Sequence, residues 1–161
     1  VLILATAFRL ANDPENYRKA PVRGRDGFDL ATFFATERAA SYEGVSMPGL
    51  PNHFMMFGPY GWTGGTWHDL VETTSAHIIR VLLHARASGA REVEISPAAT
   101  GRRAEFVRKR FERSLWRHHD CTRANSYYFD RHGDVPFLRP TTAAQARRAA
   151  RSYPLDDYVF R

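Results

Sequence analysis

The segment from residue 55 to residue 73 (MMFGPYGWTGGTWHDLVET) combines residue types that could bind a ligand at the start of a helix. An apolar run ends at Gly58-Pro59, and a glycine-rich stretch with a tryptophan separates it from an amphipathic segment. The first N–H groups of a helix lack partners within the helix and carry partial positive charge. Glycines let an electron-rich ligand approach such groups closely. The stretch matches neither a Walker loop nor GxGxxG, and a surface loop packed by Trp62 and Trp67 is the alternative.

A second segment could bind a metal or supply a nucleophile: it is the run His118, His119, Asp120 and Cys121. Structural zinc sites need about four ligands, usually contributed as spaced pairs, and this run has no second pair. A nucleophilic cysteine would need a histidine base and a third group that orients it. We therefore predict no metal site and assign no catalytic residue within the chain.

Two histidines of the long amphipathic segment, His77 and His84, lie seven positions apart and hence on one face of a helix. A metal or a substrate would need further ligands near them. We predict that both are partly buried helix residues rather than ligands.

The elements that must position these residues follow from apolar periodicity. Continuous apolar runs at residues 1–5 and 53–57 predict two buried strands, and Glu92–Ile95 a short one. Apolar residues at helical spacing predict the long helix from Thr66 to Ala87, closed by Gly89. Further short strands are predicted at residues 125–130 and 135–138, and an extended end at 153–161.

Capping residues mark the remaining helices. Asp29 can cap a short helix that ends near Phe34, and Ser96-Pro97 is a typical helix start. A small basic helix is predicted from Thr142 to Arg151. The Asp26-Gly27 pair predicts a tight turn in a small hairpin before Asp29.

Length and composition are those of a soluble globular domain. The chain has 161 residues, of which 43% are hydrophobic and 25% charged. No apolar run approaches the ~20 residues that a membrane-spanning helix needs. The chain starts within an apolar run, without a basic leader or an initiator methionine, so we expect a fragment that lacks an upstream part. Strands without partners predict dimerisation through exposed edges.

The net charge of +6 comes largely from arginines at residues 102–123 and 139–151. Such segments could bind nucleic acid, but no base-reading motif accompanies them, and solvated helix faces are the simpler interpretation. We therefore expect neither nucleic acid nor a membrane as a partner. The single cysteine, Cys121, excludes an internal disulfide and predicts a reducing, cytoplasmic location.

Four segments carry a family resemblance. Residues 1–8 (VLILATAF) resemble the "ATG" strand of two-dinucleotide-binding-domain flavoproteins, and residues 47–59 (MPGLPNHFMMFGP) resemble their "PGFPNLFMxxGP" segment. Residues 126–130 (SYYFD) and 155–161 (LDDYVFR) match later parts of the same pattern. The chain thus resembles the class B flavoprotein monooxygenases, which include the Baeyer–Villiger and flavin-containing monooxygenases. The resemblance covers the whole chain and corresponds to the C-terminal third of such an enzyme.

The resemblance implies an α/β fold: a partial FAD/NAD(P)-binding fold with a helical C-terminal cap. Residues 1–88 would belong to the FAD-binding, NADP-facing region and residues 89–161 to the cap. The parent enzyme would use FAD and NADPH to insert one oxygen atom of O₂ into a ketone or onto a soft heteroatom, and the chain alone would be inactive. Its partners would be the missing N-terminal part, O₂ and a small substrate. The alternative from another class is a non-catalytic basic α/β binding module.

The resemblance also implies site residues. Its cofactor-binding positions correspond here to Ala5, Thr6, Gly58, Pro59, Tyr60, Gly61 and Tyr127, and its substrate-lining positions to Trp62 and Trp67. The chain departs from the family at Ala7, where the family has glycine, and at Tyr127, where it has a tryptophan that contacts the nicotinamide nucleotide. Tyr127 keeps a flat ring and adds a hydroxyl group.

Overall fold

The structure is a computed structural model that describes residues 12–118 and 126–161. The described helices are α1 (Glu15–Arg18), α2 (Leu30–Thr36), α3 (Trp67–Ser88), α4 (Pro97–Phe111) and α5 (Ala143–Ser152). Strands β1 (Val93–Ile95) and β2 (Tyr158–Phe160) form a two-stranded antiparallel sheet. Its register pairs Val93 with Phe160 and Ile95 with Tyr158. The expected α/β class is confirmed, with helices packed around one small sheet.

Asp29 and Ser96 cap the two helices that they were predicted to start, and the helices predicted from Thr66 and Thr142 begin directly after those residues. The Asp29 carboxylate accepts from the N–H of Thr32 at 2.8 Å, and Ser96 accepts from Ala99 at 3.2 Å. Thr142 and Gln145 form a reciprocal capping box at the start of α5. Gly89 ends α3 in the left-handed conformation, with φ of 72°. These helix boundaries confirm the sequence predictions.

The tight turn before Asp29 is also confirmed. Arg23 and Asp29 form an isolated antiparallel bridge. Asp26 and Gly27, at the turn, have φ of 51° and 78°. A left-handed pair of this kind is what the Asp-Gly sequence favours.

Three predicted strands are wrong. Residues 53–57 run irregularly along the 42–46 loop and share one backbone hydrogen bond with it, from Met55 N to Val45 O at 2.7 Å. Residues 126–130 and 135–138 form turns, in which the Asp130 carboxylate accepts from two backbone N–H groups. Local hydrogen bonds thus replace strand pairing in these segments. Residues 54–57 therefore do not form the strand with an open edge that was expected there. The apolar run at residues 1–5 lies outside the described residues.

The main hydrophobic cluster joins the sheet to the two long helices. It contains Tyr42, Val81, Val93, Ile95, Ala99 and Tyr158. Another cluster surrounds Leu30 and Phe34 of α2, and another contains Tyr60, Val107, Phe111 and Val135. Helix α5 packs against α3. Residues from both sides of the predicted boundary at residue 88 share the main cluster, and that boundary stays a prediction.

Candidate functional site

Three glycines bring two chain segments into direct backbone contact at the base of the predicted site; we call Gly44, Gly58 and Gly61 the glycine junction. A Cβ atom built on Gly44 would lie 2.2 Å from the Cα atom of Gly61. One built on Gly58 would lie 2.6 Å from the carbonyl oxygen of Gly44. Any side chain at these positions would displace backbone. The space that the glycines leave free is therefore occupied by the chain itself.

The backbone donors of residues 58–61 are already used inside the protein. Gly58 N donates to Gly44 O at 2.9 Å, and Gly61 N donates to Gly58 O at 3.1 Å. Tyr60 N donates to Pro136 O at 2.6 Å, and Pro59 has no N–H. Tyr60 has φ of 58°, and its ring is buried against Phe111. This segment could therefore approach a ligand by shape but not by N–H donation.

Free backbone donors begin a few residues later. Within the described part of the chain, the N–H groups of residues 63–67 have no acceptor, as expected at a helix start. Gly64 has φ of 82°, and no atom lies within 4 Å of a Cβ built there. The Thr66 hydroxyl accepts from Asp69 N at 3.2 Å and caps α3. The start of α3 thus presents open space and unused donors to an electron-rich ligand.

Beside this helix start, four aromatic side chains form an aromatic wall of Phe57, Trp62, Trp67 and Phe137. Trp62 stacks on Trp67 with ring centroids 6.2 Å apart and an interplanar angle of 11°. Phe137 packs edge-on against Trp62 and Phe57 at 5.0 Å in each case. Trp67 is 55% exposed, so one face of the wall can contact an apolar substrate. The Trp62 indole N–H donates to Gly65 O at 2.9 Å, which fixes its ring.

Tyr127 connects to the same wall through its neighbour. It stacks on Tyr128 at 4.5 Å, and Tyr128 packs edge-on against Phe137 at 5.2 Å. Tyr127 is 42% exposed and lines a cavity of about 260 Å³ that Phe34 and Asp130 also line. Burial raises the pKa of the Asp130 carboxyl group. The flat, exposed ring of Tyr127 suits contact with a planar ligand.

A buried ionic triad lies behind the glycine junction and consists of Glu43, Arg103 and Arg139. Their side chains are 5%, 11% and 4% exposed. The Glu43 carboxylate is paired with Arg139 and lies 3.0 Å from Arg103. Arg139 N donates to Trp62 O at 2.6 Å, so the triad contacts the aromatic wall through the backbone.

His77 is buried, as predicted, and makes one defined polar contact. Its Nε2 atom lies 2.8 Å from the Tyr158 hydroxyl, which also contacts the Ser46 hydroxyl at 3.0 Å. Burial lowers the pKa of His77 to about 3, assisted by Arg80 and Arg139. His84, in contrast, is exposed, and its ring packs against Phe160 at 4.6 Å. The prediction of partial burial is therefore wrong for His84, which lies on the solvent side of α3 between the buried residues Val81 and Ala85.

Several predicted residues lie outside the described part of the chain. These are the cofactor-binding candidates Ala5 and Thr6, and the His119, Asp120 and Cys121 part of the cluster considered for metal. Among the described residues, no group of three or more His, Cys, Asp or Glu side chains could hold a metal ion. None of the described helices combines the length and apolarity that crossing a bilayer requires.

Comparison with known proteins identifies the fold. No family model matches the chain. A curated uncharacterized monooxygenase of Mycobacterium tuberculosis is 25% identical over 162 residues, and a counterpart in Mycobacterium bovis matches equally. The alignment covers all of this chain but 31% of the relative, so the chain spans about a third of the length of these proteins.

Solved structures agree with this match. A cyclohexanone monooxygenase variant from Rhodococcus sp. Phi1 bound to NADP⁺ superposes with a TM-score of 0.75 at 21% identity, over 98% of this chain and 28% of that one. A closed cyclohexanone monooxygenase structure gives 0.70 at 25% identity, over 91% and 28%. A steroid monooxygenase bound to NADP gives 0.69 at 23%, over 87% and 26%. The chain has the fold of a class B flavoprotein monooxygenase segment.

The class B resemblance read from the four sequence segments is thereby confirmed, and so is the partial nature of the fold. Within the class B fold, the structure brings Trp62 and Trp67 together and connects both to Tyr127 through Phe137 and Tyr128. Gly58, Pro59, Tyr60 and Gly61 form the turn that leads into this wall. Whether each contacts a cofactor stays a prediction.

Several residues of this site were not predicted from the sequence. Phe57 and Phe137 belong to the aromatic wall, and Glu43 and Arg139 lie behind it. Phe57 could have been found, because it precedes the Gly-Pro of the family segment. Glu43 and Arg139 are 96 positions apart, and no local pattern links them.

Proposed function

We propose that this chain is part of an FAD- and NADPH-dependent monooxygenase that inserts one oxygen atom of O₂ into a ketone or onto a soft heteroatom. The observation that carries the proposal is the structural similarity to cyclohexanone monooxygenase over nearly the whole chain. The ring contacts that link Trp62, Trp67 and Tyr127 support it. Residues 1–88 would contribute to the FAD-binding region and residues 89–161 to the cap. The remaining partners would be O₂, a small substrate and the rest of the polypeptide, in the cytoplasm.

The residues at the start of α3 fit a flavin. Unused N–H groups at 63–67 and the open space at Gly64 suit the electron-rich edge of a ring that gains negative charge on reduction. A bound FAD would accept hydride from NADPH and activate O₂, with one oxygen atom going to the substrate and the other to water. The protein would supply donors, shape and exclusion of water.

The residues of the site would then have distinct roles. Residues 58–61 would pass beside the ring, and their internal hydrogen bonds and the glycine junction would hold that backbone in place. Trp62 and Trp67 would provide an apolar surface for the substrate, and Tyr127 would contact the nicotinamide nucleotide. Preorganised groups of this kind accelerate a reaction because they need not rearrange as charge develops.

The test uses the complete protein, purified and examined for a bound flavin spectrum and for NADPH oxidation. We expect a yellow protein whose NADPH consumption rises with a ketone or a thioether, and mass spectrometry of the product would distinguish an ester or lactone from a sulfoxide. Residues 1–161 expressed alone serve as the control and should be colourless. A complete protein that binds no flavin and oxidises no NADPH would contradict the proposal.

A further inference from the structure

The loop at residues 58–62 is held at both of its ends by segments that one buried ion pair joins. At its start, Gly58 N donates to Gly44 O at 2.9 Å, and Gly44 directly follows Glu43. At its end, Trp62 O accepts from Arg139 N at 2.6 Å, and Trp62 bridges Leu138. Glu43 and Arg139 are themselves ion-paired. The contacts therefore form a closed ring around the loop.

All three nitrogen atoms of the Arg139 guanidinium make polar contacts within the protein. Its Nε atom donates to the Thr141 hydroxyl at 2.8 Å, and one terminal nitrogen donates to the Tyr153 hydroxyl at 2.5 Å while pairing with Glu43. The other terminal nitrogen lies 3.4 Å from the Glu43 carbonyl oxygen. A planar guanidinium can make these divergent contacts at once, whereas a lysine ammonium acts as a point charge. The arginine side chain thus fixes its own backbone, which bonds to Trp62.

Both the backbone and the carboxylate of Glu43, the other partner of the ion pair, are constrained. It has φ of 59°, a conformation uncommon for a residue with a side chain, and Gly44 follows with φ of 78°. Its carboxylate is 5% exposed and faces Arg139 and Arg103. A buried carboxylate is retained at low cost only when cations compensate it. Its ion pairs therefore hold Glu43, and with it Gly44, against Gly58 and Gly61.

We propose that Glu43 and Arg139 are positioning residues that set the orientation of Trp62 in the aromatic wall. The link to substrate rests on the proposed function; the link to the loop rests on the contacts alone. Loss of the ion pair would release both ends of residues 58–62, whereas α3 is held by the main hydrophobic cluster around Val81.

Hydrogen exchange measured by mass spectrometry on the complete protein tests the structural step. The variants are Glu43→Gln, Arg139→Lys and Tyr153→Phe, the last of which removes one hydroxyl group and is expected to fold. Exchange of peptides covering 57–62 and 137–141 should become about tenfold faster in the first two variants and less so in the third. Peptides from α3 around Val81 should not change. Arg161→Lys, which alters an ion pair on the sheet surface, is the matched control and should leave the exchange of all these peptides unchanged.

Equal acceleration of all peptides would show a general stabilising role and overturn the proposal, as would unchanged exchange at 57–62 in Arg139→Lys. The second readout is kinetic: the substrate KM should rise several-fold in Arg139→Lys with the NADPH KM unchanged. If exchange changes and the substrate KM does not, Trp62 is not positioned for substrate and the proposal fails. A wild-type protein without flavin would overturn the proposed function, whereas the exchange result does not depend on flavin.

Discussion

Gly44 and Gly61 touch backbone to backbone, so closely that a Cβ atom on Gly44 would lie 2.2 Å from the Cα atom of Gly61. The contact joins residues 17 positions apart and places the turn before α3 against the 42–46 loop. It explains why glycine is needed here before any ligand is considered. The same contact leads to the first prediction.

Gly44→Ala should destabilise the protein by about 1–3 kcal/mol or more, because the added methyl group would displace backbone and the left-handed φ would be strained. Gly61→Ala should cost less, since its Cβ would lie 3.0 Å from Gly58 O. Gly101→Ala in α4 is the matched control: no atom lies within 4 Å of its Cβ, and we expect a gain of about 0.5–1 kcal/mol. Chemical denaturation measures all three, and a neutral Gly44→Ala would contradict the contact.

Thr66→Ala should destabilise α3 by about 1 kcal/mol, because the hydroxyl that accepts from Asp69 N is lost. Thr66→Ser keeps the hydroxyl and should restore most of the stability. Thermal unfolding of both variants is the measurement. If alanine and serine behaved alike, the hydroxyl would not be acting as the cap.

His77 should make the protein sensitive to acid. Its pKa is lowered from 6.5 to about 3 by burial, so the unfolded chain binds the proton more tightly than the folded one. The stability that neutral His77 contributes is complete above pH 6.5 and is lost as the pH falls towards 3, by about 1.4 kcal/mol per pH unit.

His77→Gln should therefore show a shallower decline of the unfolding free energy between pH 6.5 and 3 than the unsubstituted protein. Val71→Ala, at an exposed site without a titrating group on the same helix, is the control and should leave the decline unchanged. Denaturation curves at several pH values provide the comparison. Parallel curves for His77→Gln and the unsubstituted protein would mean that His77 does not titrate differently on unfolding.

Tyr127→Ala in the complete protein should raise the NADPH KM several-fold, since one aromatic contact contributes on the order of 1 kcal/mol. The side chain is 42% exposed, so folding should be little affected. Tyr127→Phe keeps the ring and should behave almost normally. Loss of FAD with unchanged NADPH kinetics would place Tyr127 at the other cofactor.

Local structure was predictable where one short segment contains all that is needed. The helices α2, α3, α4 and α5 follow from apolar spacing and from caps such as Asp29 and Ser96, which act within three residues. The strand predictions failed at 53–57 and 135–138 because a strand needs a partner, and an apolar run cannot show whether one is available. The fold family could be recognised because four short segments match motifs of the family in the same order along the chain.

Neighbouring residues alone account for the capped helices, the turn at Asp26-Gly27 and the glycine-rich approach to α3, and so these features were predictable. Three contacts of the site became visible in the folded protein. The backbones of Gly44, Gly58 and Gly61 touch, Phe137 completes the wall of Trp62 and Trp67, and Glu43 pairs with Arg139. These contacts join residues far apart in the chain. Their partners are selected by burial and charge compensation in the folded protein, which no local pattern encodes.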